Sequence, residues 1–164
     1  MSTHKGRTEQ PRPGQKLTER DFENVVRLTP LVSIDLIVRS RDRRVLLGRR
    51  TNAPARNTFF VPGGRITKNE TLAMAFRRIT LQELGEERAS EDARFVGVYE
   101  HIYRGNPFGK AGFGAHHVVL AYELSLKAGA SSLPAEQHAA YAWKTEAQIL
   151  SSSTVHENTK KYFR

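Results

Sequence analysis

The sequence predicts an α+β fold: a mixed sheet with one long helix packed on its face. Three observations carry that reading. Short apolar runs bounded by turn residues recur along the chain, the pattern of strands. The stretch from Thr71 carries Leu72, Phe76 and Ile79 at helical spacing and stops at Gly85. At 164 residues the chain can build one well-cored domain and little more.

In chain order, Met1 to about Lys16 is polar and basic with Pro11, Pro13 and Gly14, and is expected to be disordered or loosely packed. The domain then runs from 17 to 164. Thr18 can cap a helix from Glu19 to Leu28, with Phe22 and Val25 or Val26 facing inward and Pro30 stopping it. Leu31 to Val38 is strand-like and is interrupted by Asp35. A carboxylate inside an apolar strand is costly unless it is paired or faces a polar cleft. A solvent-facing edge position is the plainer account. Arg41 to Arg44 form a charged turn, Val45 to Leu47 the returning strand of a hairpin, and Gly48-Arg49-Arg50 its end.

Thr58 to Val61 is a short strand leading into a turn at Pro62-Gly63-Gly64. Thr67 and Glu70 have capping-box spacing for the long helix, with Asn69 the alternative N-cap. Phe95 to Tyr103 is the next strand. Gly105 to Gly114, rich in glycine and proline, is a loop suited to closing over a ligand. His116 to Leu126 is a strand, Ser131 to His138 an irregular loop, and Tyr141 to Trp143 a short strand. Thr145 caps a helix through Leu150, and His156 to Phe163 is a terminal helix. Trp143 and Phe60 read as core residues.

Cysteine is absent, so disulfides and thiolate metal sites are excluded. No apolar run approaches the length of a membrane span, and the N-terminus lacks a signal-peptide core, so a cytoplasmic protein is expected. The net charge of +9 calls for an anionic partner. Residues 1–20 contribute Lys5, Arg7, Arg12, Lys16 and Arg20 against Glu9 and Glu19. No zinc-finger spacing, RNA-recognition motif or basic heptad is present, so a phosphate-bearing small molecule is preferred to nucleic acid.

The long helix is more than an amphipathic surface helix. With Gly64 as the first position, Glu70 is seventh, Arg78 fifteenth, Glu83 twentieth and Gly85 twenty-second. This spacing resembles the Nudix signature. That family carries glutamates at the helical positions that are Ile79, Gln82 and Glu83 here, three residues of one face. With one acid left, a single Mg²⁺ is the expectation, Mn²⁺ being a substitute, and a base must come from elsewhere. Arg78 fits a structural partner of Glu70 or of a nearby carbonyl.

Further segments sharpen the likeness: Thr29 to Ser33, Leu46 to Asn52, Phe60 to Arg65, and Leu133 to His138. Together they resemble the GDP-mannose mannosyl hydrolase branch of the Nudix family, which also lacks the two helix glutamates. The likeness spans about Phe22 to Phe163 and is weak from Gly105 to Ala115. It implies an α/β/α Nudix-like sandwich, a homodimer, and hydrolysis of GDP-mannose by water attack at the anomeric carbon with inversion. By the same resemblance Glu83, the Gly63 carbonyl and Gln137 are metal ligands, and His138 is the general base. Arg50 and Arg65 face the departing diphosphate, Asp35 and His101 the sugar, and His117 stands where the branch has a tyrosine. Two other functions stay open: a pyrophosphatase attacking phosphorus, and a non-catalytic nucleotide-sugar or nucleic-acid binder.

Overall fold

The computed structural model describes residues 11–50, 57–126, 133–134 and 140–164. The α+β architecture is as expected. The chain forms α1 (Glu19–Leu28), β1 (Leu31–Arg39), β2 (Val45–Arg49), β3 (Phe59–Phe60), β4 (Gly63–Arg65) and α2 (Leu72–Leu84). It continues through a 3-10 turn at Ser90–Asp92 to β5 (Arg94–Ile102), β6 (His116–Ser125), β7 (Tyr141–Lys144), α3 (Glu146–Ser151) and α4 (Glu157–Lys160). A 3-10 turn, Lys161–Phe163, follows.

The strands form one mixed sheet with β1 at its centre. β1 runs parallel to β6 from Leu31↔His117 to Arg39↔Ser125. Its other edge is shared: β4 pairs with Ser33 to Asp35, and β2 closes a hairpin at Arg39↔Val45. β5 lies antiparallel to β6, and β7 to β2.

β1 is nearly continuously apolar because both of its faces are covered. Ile34, Leu36 and Val38 pack against Phe76, Ile79 and Leu84 of α2. Alternate positions such as Ile37 pack with Val45, Leu47, Ile149 of α3, Val155 and Tyr162. Asp35 shares the parity of Ile37, so it points toward the C-terminal layer. The sheet between α2 and the C-terminal helices is the α/β/α sandwich. None of the described helices is long and apolar enough to cross a membrane.

Several local expectations are corrected. The cap of α2 is Thr71, whose side chain accepts from the Met74 amide. Thr67 and Glu70 instead close a turn before the helix, where Glu70 Oε2 accepts the Thr67 amide at 2.8 Å. Asn69 sits in that turn at φ 66° and donates to the Pro11 carbonyl. Leu72, placed by periodicity in the buried stripe, is 52% exposed; Phe76 and Ile79 are buried as expected, together with Ala75, Thr80 and Leu84. Gly63 and Gly64 are paired strand, not turn. Gly85 ends α2 in the left-handed conformation at φ 73°, as expected.

The segment between β5 and β6 is built around a buried side chain. Asn106 donates to the carbonyls of Lys110 and Phe113 and accepts from the amides of Phe108 and Lys110. Phe108 meets Phe22 edge-on, Arg27 lies 4.4 Å over Phe113, and Lys110 pairs with Glu23. The loop expected to be free to close is therefore stitched to α1. Pro11 to Lys16, expected to be loose, touches the body through Pro11–Asn69 and through the Gly14 amide on Thr67 Oγ1.

Candidate active site

A cavity of about 390 Å³ opens where β1, β4, β5 and β6 meet the loop above them. It gathers Asp35, Arg50, Arg65, His101 and His117, five residues singled out from the sequence, with Gly63 on its wall. Phe22, Tyr103 and Pro107 close its upper side. Gln137 and His138 lie outside the described residues.

Gly63 is required by the close approach of β4 to β1. A Cβ there would come within 2.5 Å of Asp35 Oδ1 and 2.6 Å of the Ile34 carbonyl oxygen. The Leu36 amide donates to Pro62 and the Ile66 amide to Val32, so Asp35 and Gly63 face each other in a non-hydrogen-bonded pair. The Gly63 carbonyl is thereby directed away from β1.

Asp35 is not a solvent-facing edge residue. Tyr162 donates to its Oδ2 at 2.6 Å, and the same phenol oxygen lies 3.0 Å from His101 Nε2. Burial lifts the Asp35 carboxyl to about 6; the Tyr162 hydrogen bond and Arg50 oppose this, and repulsion from Glu83 adds to it. Glu83, on α2, is therefore electrostatically part of the site. His101, 4% exposed, is pushed down to about 3 by burial, with Lys161, His117 and His156 adding repulsion, and stays neutral.

On the opposite wall His117 Nδ1 lies 2.8 Å from Ser33 Oγ, across neighbouring strands. Burial first, then Arg50 and Arg65, lowers its pKa to about 4, so it too is neutral. The Arg65 guanidinium lies 3.9 Å from the Phe22 ring centroid and Arg50 5.2 Å from that of Phe60. Both stack on aromatic faces, which fixes their direction. Burial, then Arg78, lowers the Arg65 pKa. Among the described residues neither arginine has a carboxylate salt bridge, so this end of the cavity is positive, which suits a phosphate-bearing ligand.

Sequence reasoning missed Tyr162, Ser33, Tyr103 and His156. His156 stacks on Phe60 at 4.5 Å and caps α4 by accepting the Asn158 amide. Phe60 is buried as expected, but it also floors the cavity under Arg50. Tyr162 carries no motif; the sequence places it only within the terminal helix expected from His156 to Phe163. Arg78 does what was expected, binding Glu70 and the Arg65 carbonyl.

Among the described residues no three His, Cys, Asp or Glu side chains cluster as a metal centre. The Glu83 carboxylate and the Gly63 carbonyl are hard oxygen donors, a set that fits Mg²⁺ better than a softer ion.

The family model described as NUDIX domain matches residues 29–164. The chain is 37% identical to the low-salt glycan biosynthesis protein Agl8 of Haloferax volcanii over 73% of its own length and 74% of the relative's. Its fold resembles a MutT Nudix hydrolase of Burkholderia pseudomallei at TM-score 0.65, 26% identity, covering 82% of this chain and 96% of that one. The Nudix domain of Shewanella oneidensis NrtR, solved with ADP ribose, matches at TM-score 0.58 and 15% identity over 89% and 95%; that likeness shows the fold alone. The sandwich fold, the spaced signature from Gly64 to Gly85 and the family match over most of the length agree: the chain belongs to the Nudix family, metal-dependent hydrolases of nucleoside diphosphate derivatives.

Proposed function

We propose that this chain hydrolyses a GDP-sugar, GDP-mannose foremost, to GDP and the free sugar, with water attacking the anomeric carbon and inverting it. One observation carries the reading. The acids that crowd the helix elsewhere in the family are gone: Ile79 is buried at 1% exposure, and Gln82 accepts a hydrogen bond from Arg78. Among the described residues that line the cavity the acid is Asp35, and it shares that cavity with two arginines.

Cleaving a sugar–phosphate bond builds positive charge on the ring and negative charge on the diphosphate. Arg50 and Arg65 stabilise the leaving diphosphate, and a neutral His117 donates to it through Nε2. Asp35, ionised above about pH 6, faces the cationic ring, with His101 beside it. A diphosphate so neutralised departs without a general acid. His138, with a reference pKa of about 6.5, takes the proton of the attacking water. Glu83, the Gly63 carbonyl and Gln137 would hold Mg²⁺, which when bound supplies further positive charge against the diphosphate.

The relative named for glycan biosynthesis supports a nucleotide-sugar substrate. By the resemblance the protein is a homodimer, which light scattering tests. Hydrolysis in ¹⁸O-water tests the chemistry. Label in the free sugar supports attack at carbon. Label in phosphate means a pyrophosphatase instead, and no turnover of any nucleotide sugar means a binding protein.

A further inference from the structure

The C-terminal turn reaches the cavity through one side chain. A phenol has a single proton. Tyr162 commits it to Asp35 Oδ2 at 2.6 Å, so the 3.0 Å contact with His101 requires that Nε2–H be the donor. A neutral imidazole has only one N–H, so His101 Nδ1 carries a lone pair. The other Asp35 oxygen lies against Gly63, in the space a Cβ would take. The Tyr162 hydrogen bond thus fixes one carboxylate oxygen, and the bare Gly63 leaves room for the other.

Tyr162 cannot easily give way. Its ring packs edge-on against Tyr99 at 4.7 Å and is 9% exposed. Next to it, Lys161 Nζ donates to the Glu100 carbonyl at 2.9 Å and latches the turn onto β5.

Resting on the reaction proposed above, we infer that Tyr162 is a positioning residue: it fixes the Asp35 rotamer and the His101 tautomer that together face the sugar. It does so without touching the substrate. The α4 end of the chain is therefore part of the reaction's machinery and not only of its core.

The test is Tyr162→Phe in the full chain, which removes one hydroxyl and keeps the ring. Three readouts are compared with wild type: release of free sugar from GDP-mannose with Mg²⁺, thermal unfolding, and ¹⁵N NMR of the His101 imidazole. Expected are a kcat lower by about tenfold or more, a KM within about threefold, a modest fall in Tm from the lost buried hydrogen bond, and loss of the single Nε2–H tautomer. A kcat within about twofold of wild type, or a fall in Tm alone, overturns the proposal, as does a persistent Nε2–H tautomer. If Tyr162→Phe does not fold, Asp35→Asn combined with it removes the stranded carboxylate and gives the same NMR readout. If the wild-type protein releases no sugar, the reaction assignment fails, and the tautomer measurement alone decides whether Tyr162 positions the pair.

Discussion

The Arg78 guanidinium grips the Glu70 carboxylate through two hydrogen bonds, of 2.6 and 2.8 Å, and donates with the same fork to the Arg65 carbonyl at 2.9 Å. The pair joins the turn before α2 to the middle of that helix and to β4. Its side chains are 3% exposed at Glu70 and 26% at Arg78, so solvent screens it only in part.

Acid stability follows from this pair. Arg78 first, then the Thr67 hydrogen bonds, hold Glu70 down at about 2, against an ordinary 4.5. A lowered carboxylate stabilises the fold above pH 4.5, and that contribution drains away as pH falls toward 2. Glu70→Gln should lose about 2–3 kcal/mol at pH 7 and much less near pH 2.5. Urea unfolding at the two pH values measures the difference; equal losses would show that the ion pair is not the source.

A second expectation concerns the rate. Asp35 must be ionised to face a cationic ring, and in the free protein it titrates at about 6. The proposed kcat/KM should therefore rise with pH on its acid limb through that region. Asp35→Asn should cost about a hundredfold. A pH–rate profile unaltered in shape by this substitution would assign the limb to another group.

Removing Glu83 should have two separable effects. Glu83→Gln takes away an oxygen charge from the expected metal ligands, so more Mg²⁺ should be needed for half-maximal rate. It also takes away a repulsion that raises Asp35, so the Asp35 carboxyl should titrate lower. Metal titration of activity and ¹³C NMR of the Asp35 carboxyl follow the two effects independently.

Gly63→Ala should be disruptive out of proportion to one methyl group. The new Cβ would meet the backbone oxygen of Ile34, which moves only if the β1–β4 pair opens, and Asp35 Oδ1, which moves only by disturbing the Tyr162 hydrogen bond. A loss of about 1–3 kcal/mol is expected, with activity lost alongside. Calorimetry and turnover on one preparation check it.

His138→Gln should lower turnover by about a hundredfold or more while leaving Mg²⁺-dependent binding of GDP-mannose in place. Calorimetric titration beside the turnover assay separates the two. A rate near wild type would remove His138 as the base.

The sequence was legible where a residue's reason is local. Thr18 and Thr145 cap their helices through bonds to residues three positions on. Gly85 needs a positive φ. It was less legible where the reason is another strand. Gly63 and Gly64 look like a turn until β1 is laid beside them. Arg50 and Arg65 reach the cavity on segments that the resemblance marks, while Asp35, His101 and His117, which join them there, lie outside those segments. Tyr162 was invisible since its partners, Asp35 and His101, lie 127 and 61 residues away. The internal order that Asn106 gives its loop was hidden by the very glycines and prolines that suggested freedom.

That loop and α1 are fastened by an aromatic pair, an arginine over a ring and an ion pair. Phe22 on the helix and Pro107 on the loop both roof the same cavity. The roof is therefore one panel made from two distant stretches of chain. Admitting a bulky guest means tilting the panel as a whole, and transplanting a loop from a relative would leave Phe22, Glu23 and Arg27 without their counterparts.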